Sequence, residues 1–178
     1  MPATPVSFDY QPVLRGELLA LRPLRADDYE ALYGVASDPL IWEQHPVRNR
    51  YEPETFRDFF RESLESGGAL VAIDRATGEI IGSSRFYRHD PMRSEVEIGW
   101  TFLARRYWGG RYNGEMKRLM LQHAFQFVDH VVFLIGPQNY RSQAAIRKIG
   151  GEYVGMRPDG RGGESCVFQI SADREAGR

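Results

Sequence analysis

Residues 94–128 read SEVEIGWTFLARRYWGGRYNGEMKRLMLQHAFQFV. In the first ten, Glu95, Glu97 and Gly99 alternate with Val96, Ile98 and Trp100. That is the period of two expected of a strand with one polar face, here Ser94 to Leu103. Further on, Met116, Leu119, Met120, Ala124, Phe127 and Val128 recur at helical spacing, which predicts a helix from Asn113 to Val128. Between them lies RRYWGGRYN, Arg105 to Asn113. A glycine-bearing turn that opens a helix presents consecutive backbone N–H groups at the positive end of the helix dipole, a ready site for phosphate or pyrophosphate. Gly109 and Gly110 allow close approach, and Arg105, Arg106 and Arg111 add charge. The same residues would equally suit a plain turn with solvated arginines. The turn lacks the Lys-Ser/Thr of a P-loop and the GxGxxG of a dinucleotide fold, which counts against nucleotide hydrolysis and hydride transfer.

Working outward from this unit, Leu18 to Leu24 reads as a strand and Ala26 to Ser37 as a helix with Asp27 and Asp28 in its first turn. Asp38 to Pro53, dense in aromatics, prolines and charges, is too irregular for a helix and is a functional-loop candidate. Thr55 to Ser66 carries Phe56, Phe59, Phe60 and Leu64 at helical spacing and ends at Gly67-Gly68. Ala69 to Asp74 and Glu79 to Tyr87 form a hairpin. Val131 to Ile135 is a buried strand, Arg141 to Ile149 a short helix, and Tyr153 to Met156 with Ser165 to Ile170 a terminal strand pair. The order implies one mixed α/β domain over residues 13–171, with a central sheet covered by helices. Residues 1–12, with three prolines, read as an extended, weakly ordered lead-in and 172–178 as a short tail.

The 178 residues are 42% hydrophobic and 26% charged, enough for one domain to bury a real core. A net charge of −1 supplies no overall field for nucleic acid or anionic lipid, so no nucleic-acid or membrane partner is expected. The single Cys166 offers neither an intramolecular disulfide nor a cysteine metal site, and no metal is expected. With no leader pattern and no long apolar run, a cytoplasmic location is the default.

Chemistry could reside in a few side chains. Glu97, among apolar neighbours and near the glycine turn, would have its pKa raised toward the range of a general base. Glu95 shares its face and competes for that role. Asn139 and Ser142 lie at the second strand-to-helix junction, where capping is the ordinary use of such residues. His123 reads as a core or rim histidine, His45 as a loop residue between Trp42 and Tyr51, and Cys166 as a core residue.

Three segments carry a resemblance: EIGWTFL (Glu97 to Leu103), RRYWGGRYN (Arg105 to Asn113) and NYRSQAAIRKIGG (Asn139 to Gly151). In this order and spacing the chain from Leu18 to Ile170 resembles the GCN5-related N-acetyltransferase (GNAT) superfamily, in particular the branch of the ribosomal-protein N-terminal acetyltransferases. The resemblance implies a mostly antiparallel twisted sheet of six to seven strands flanked by about four helices. Of the family's RxxGxG/A loop, Arg106 and Gly109 match, while Arg111 stands in place of the last small residue. By resemblance, the backbone of Gly109, Gly110, Arg111, Tyr112 and Asn113 would hold the pyrophosphate of acetyl-CoA. Trp100, Thr101, Phe102 and Leu103 would bind the pantetheine arm like an added strand, and Asn139 would hold it by its side chain. Many members place a tyrosine acid where this chain has Ile146; the branch resembled uses a serine matched by Ser142.

The implied reaction is acyl transfer, most simply acetyl, to a primary amine of a small molecule or a peptide N-terminus. Glu97 would act as base and Ser142 as the proton donor to the leaving thiolate. An amine is mostly protonated at neutral pH, so such a base has a physical task. Trp42, His45, Tyr51, Phe86 and Tyr87 would shape the acceptor pocket. The branch is often dimeric, which adds a homodimer as an expectation. Two other readings stand beside this one: a CoA-binding sensor without transfer, and a protein-interaction module using the aromatic loop.

Overall fold

The computed structural model describes residues 7–173. Its strands are β1 (Leu14–Arg15), β2 (Leu19–Pro23), β3 (Ala69–Asp74), β4 (Ile80–Asp90), β5 (Glu95–Leu103), β6 (His130–Ile135), β7 (Glu152–Pro158) and β8 (Glu164–Ser171). Its α-helices are α1 (Tyr29–Ala36), α2 (Pro53–Glu65), α3 (Arg111–Ala124) and α4 (Tyr140–Lys148). The strands form one sheet in the order β1-β2-β3-β4-β5-β6-β8-β7, one strand more than the upper expectation because of the two-residue β1. All neighbours are antiparallel except β5 and β6. A parallel pair needs a crossover, and α3 supplies it.

That pair positions the site. β5 and β6 are paired only at Glu95↔His130, Val96↔Val131 and Glu97↔Val132, although β5 continues to Leu103 and β6 to Ile135. Beyond Glu97 the two strands part. On its other edge β5 carries a bulge: Ser83 faces Phe102 and Arg85 faces Gly99, so three steps of β5 answer two of β4. Trp100, with φ 52°, lies in this bulge. A bulky residue in that region is strained and persists only where its surroundings over-determine it.

The bulge also corrects the expected alternation. Val96 and Ile98 point into the core beneath α3, with Met116, Met120, Leu21 and Phe86. Trp100 and Phe102 instead join the second core, with Phe56, Phe59 and Trp42. Each fully buried side chain of these cores, such as Ile98 or Phe56, contributes roughly 1.5–3 kcal/mol, while Trp100 is only partly buried.

Other boundaries shift for local reasons. The first helix opens as a 3-10 turn, Ala26–Asp28, before α1. There the buried Asp28 carboxylate accepts from Arg22 Nη2 at 2.7 Å and from the Arg25 N–H at 2.8 Å. α3 begins at Arg111, two residues earlier than expected, because extended Gly110 takes the N-cap position. It ends at Ala124, yet Val128 remains buried. Part of the lead-in falls on residues 1–6 and most of the tail on 174–178, outside the described residues. The rest of the lead-in is anchored and not weakly ordered: Phe8 is buried 5.2 Å from the Phe86 ring, and the Tyr10 hydroxyl accepts from the His89 N–H at 2.9 Å. No helix among the described residues is long and apolar enough to cross a membrane.

Candidate active site

Where β5 and β6 part lies a cavity of about 300 Å³. Its walls come from Gly99 to Leu103 of β5, Phe133 to Ile135 of β6 with Gly136, Asn113 and Lys117 of α3, and Ser142 and Ile146 of α4; Trp42 and His45 close one side. The loop bearing those two residues is tied in place. Trp42 Nε1 donates to the Ala36 carbonyl at 2.8 Å, Arg141 Nη2 to that of Ile41 at 2.8 Å, and Asp38 pairs with Arg105. Trp42 is buried, so the loop's main aromatic is not an exposed docking surface.

The two carboxylates that the sequence left in competition have different surroundings. Glu95 is held by Arg157 through two hydrogen bonds of 2.6 and 3.0 Å. Glu97 is equally buried but makes no ion pair within 4.0 Å among the described residues. A Cβ added to Gly99, a wall residue, would lie 3.4 Å from Glu97 Oε1, so this carboxylate stands next to the wall without itself lining the cavity. Burial pushes its pKa up to about 7, against the pull of Arg88, Arg157 and Arg85.

At the other end, Gly109 has φ 68°, and Gly110 caps α3 without any side-chain partner for the first N–H groups. A Cβ on Gly109 would meet nothing within 4 Å, so the space above the turn is open. Arg111 is exposed and does not line the cavity. Arg106 pairs with Glu79 in the open at 2.8 Å, while the Tyr112 hydroxyl donates to Asp74. On α4, Asn139 Oδ1 accepts from the Ser142 N–H at 3.2 Å, the capping bond expected of it, which leaves its amide NH₂ as donor. Asn139 and Ser142 both line the cavity. The Leu103 carbonyl already accepts from Trp108 Nε1 at 2.9 Å.

Of the five residues assigned to the acceptor pocket, only Trp42 and His45 line the cavity. Phe86 is a correction: it is fully buried in the core beneath α3, against Phe8 and His123, because β4 alternates and this position faces inward. Tyr51 packs on the second core, its carbonyl accepting from the Tyr33 hydroxyl at 3.1 Å. Tyr87 stands one ring away, packed edge to face with its ring centre 5.0 Å from that of Trp100. His123 Nε2 meets the Asp9 carbonyl at 2.8 Å, a satisfied rim histidine.

Sequence reasoning passed over Lys117 and Arg50, which line the cavity, and Arg85 beside it. Lys117 is buried, bonds to Thr101 and Ser84 hydroxyls, and has its pKa lowered to about 7 by burial. The available signal was its place four residues after Asn113, inside the apolar stripe that continues through Met120 and Ala124. A charge within such a stripe faces the interior.

The site thus combines a parted parallel pair, a bulged central strand and an open glycine turn at a helix start. Residues 19–152 match the family model described as "Acetyltransferase (GNAT) domain", and the chain belongs to that family. Acetyl-CoA is the acyl donor of this family.

Among solved structures, a probable GNAT acetyltransferase from Chromobacterium violaceum aligns with a TM-score of 0.80 at 21% identity, covering 96% of this chain and 95% of that one. An acetyltransferase from Agrobacterium tumefaciens aligns at 0.72 and 26% identity, covering 94% and 98%. Mycobacterium smegmatis RimJ, in complex with CoA-disulfide, aligns at 0.66 and 19% identity, covering 93% and 88%. No curated protein matches the chain.

Proposed function

We propose that this protein transfers an acetyl group from acetyl-CoA to a primary amine by direct attack on the thioester. The single observation that carries the reading is Glu97, a buried carboxylate without an ion-pair partner at the point where β5 and β6 separate. The bound donor supplies an acyl group activated as a thioester. Gly109, Gly110 and the first N–H groups of α3 fit its pyrophosphate, being uncapped and open to space. Arg111, exposed at the first position of α3, offers its backbone N–H to the same group. The amide NH₂ of Asn139 and the unpaired edge of β5 from Trp100 to Leu103 suit the pantetheine amides.

Glu97 accepts the proton of the incoming ammonium, directly or through water. The amine nitrogen then bonds to the thioester carbon while a β5 backbone N–H faces the oxygen on which charge develops. As the carbon–sulfur bond breaks, the Ser142 hydroxyl donates a proton to the departing sulfur. Holding both reactants in one cavity removes much of the entropic cost of their encounter.

The test is thiol release from acetyl-CoA against a panel of amines and peptides as a function of pH. The base must be ionised, so the rate falls about tenfold per unit below a pKa near 7 and levels above it. Glu97→Gln should lower kcat by roughly 10²–10⁴-fold and abolish that limb. Full activity across pH in the variant would remove Glu97 from the mechanism.

A further inference from the structure

The side of the cavity away from α3 holds more positive charge than the fold requires. Arg50 is buried, its guanidinium stacked 4.4 Å from the Phe59 ring centre and 5.1 Å from that of Trp42. Arg85 is buried against the same cluster of rings, 4.3 Å from the centre of Trp100 and 5.9 Å from that of Phe59. Neither has a carboxylate within ion-pair distance among the described residues; Arg85 Nη2 donates to the Ser63 hydroxyl at 2.6 Å, but the Nε–H of each arginine is buried without any hydrogen-bond partner. Glu62, exposed on α2, reaches both only through its field. A buried guanidinium left unpaired is costly, so it is retained where something supplies the missing acceptor.

His45 sharpens the point. Its Nδ1 lies 2.9 Å from the Val47 N–H, and its Nε2 lies 3.3 Å from Arg50 Nη1. Burial pushes the ring well below the ordinary histidine pKa, to about 3, with Arg50 adding to the effect. The ring is therefore neutral at physiological pH, and a neutral imidazole has one acceptor nitrogen. Arg50 can only donate, so Nε2 is the nitrogen that accepts from its Nη1–H, while Nδ1 also stands 3.3 Å from the Val47 carbonyl; His45 thus fixes one edge of the guanidinium and leaves its Nε–H without an acceptor. Arg161, exposed on the turn between β7 and β8, lines the same cavity and adds a further cationic group.

We propose that the acceptor is a small amine carrying an anionic group, a carboxylate or phosphonate, received by the Arg50 guanidinium, which His45 holds by one edge, with Arg161 at the mouth. This rests on the transferase reading and deepens it, since it names the class of amine. A guanidinium stacked on two rings keeps its fork in one plane and suits a two-oxygen anion. Arg85, between this group and Glu97, extends the positive field toward the reacting amine without contacting the anion.

The experiment uses matched acceptors on the full chain: L-phenylalanine against its α-amide, L-glutamate against its diamide (L-glutamine α-amide), and 2-aminoethylphosphonate against propylamine. Thiol release is followed for each, and tryptophan emission is titrated with the same compounds in the absence of acetyl-CoA, because Trp42 and Trp100 stack on the two arginines. The expected result is a kcat/KM at least tenfold higher for one or more anionic members than for the neutral partner, with KM bearing the difference. Arg50→Gln should erase the preference, Arg50→Lys should restore part of it, and Arg161→Ala, at an exposed position that cannot disturb the core, should reduce it severalfold. The carboxylate and phosphonate arms identify which anion is used.

Turnover with equal use of charged and neutral partners, or a preference that survives Arg50→Gln, would overturn the proposal while leaving the transferase standing. If no amine or peptide is acetylated, saturable quenching by the anionic members that is lost in Arg50→Gln would still support the anion site and would count against transfer. An absence of both would sink it.

Discussion

Lys117 shows what one residue in the cavity wall costs and does. Its amine is buried with only hydroxyl partners, and burial lowers its pKa to about 7 from an ordinary value near 10.5. A base whose folded pKa lies below its unfolded one penalises the fold at low pH, and the penalty fades as pH rises from about 7 toward 10.5. Thermal unfolding should therefore show a stability gain across that window. Lys117→Met should remove the gain and raise stability at pH 7 by about 1–3 kcal/mol, since a buried amine with no counter-ion is replaced by an apolar chain of similar length. Ser84 and Thr101 stay satisfied because their hydroxyls already bond to each other at 2.8 Å. A lower melting temperature in the variant would mean that the hydrogen bond to Thr101 outweighs desolvation.

Ser142 can be separated from the residues that only hold the donor. Its N–H is committed to Asn139, so its hydroxyl alone is offered to the cavity. Ser142→Ala should reduce kcat by roughly 10-fold or more through loss of the proton donor, with acetyl-CoA affinity by calorimetry unchanged. Equal losses in kcat and affinity would assign the hydroxyl to binding and not to the leaving group.

At the level of elements, α3 is tied to the start of the sheet by one side chain. The Glu115 carboxylate accepts from the backbone N–H groups of Glu17, Leu18 and Leu19 at 2.9, 2.8 and 2.9 Å. Burial pushes this carboxyl up, but the three donors together pull its pKa below the ordinary value. It also sits where a Cβ on Gly16 would stand, 2.4 Å from Glu115 Cδ, so the turn at Gly16 has room for no larger residue unless the carboxylate moves. Glu115→Ala should destabilise the protein by roughly 2–4 kcal/mol, with hydrogen exchange accelerating first at Leu18 and Leu19. Folded-state pKa below unfolded means this contribution is present at neutral pH and is lost as pH falls through the carboxylate range.

For the whole molecule, the wedge between β5 and β6 is a place where sheet pairing was given up. Its walls come from segments as far apart in sequence as Trp42 and Ser142. A ligand that spans it should therefore couple the halves and stabilise the fold globally. At a concentration about 100 times its Kd, acetyl-CoA should add roughly 2.7 kcal/mol. For a chain of 178 residues that is a rise in Tm of about 5–10 °C by calorimetry. No shift at saturating acetyl-CoA would contradict binding in the wedge.

Most of the elements were legible because each is fixed by neighbours in the chain: the alternation of Val96 and Ile98, the helical stripe from Met116 to Ala124, the glycine turn. So was the likeness carried by three ordered segments. The bulge at Trp100 was not, since a two-for-three mismatch depends on pairing with β4, and it turned Trp100 to the other face of the sheet. The sequence could not rank Glu95 against Glu97 either; Arg157, some sixty residues on in β7, reaches back to pair one and leave the other. Nor did it flag Arg50, Arg85 and Lys117, which packing buries without counter-ions among the described residues. Local periodicity follows from short-range geometry, whereas desolvation and charge pairing are set by what distant segments bring together, and only the tertiary structure decides that.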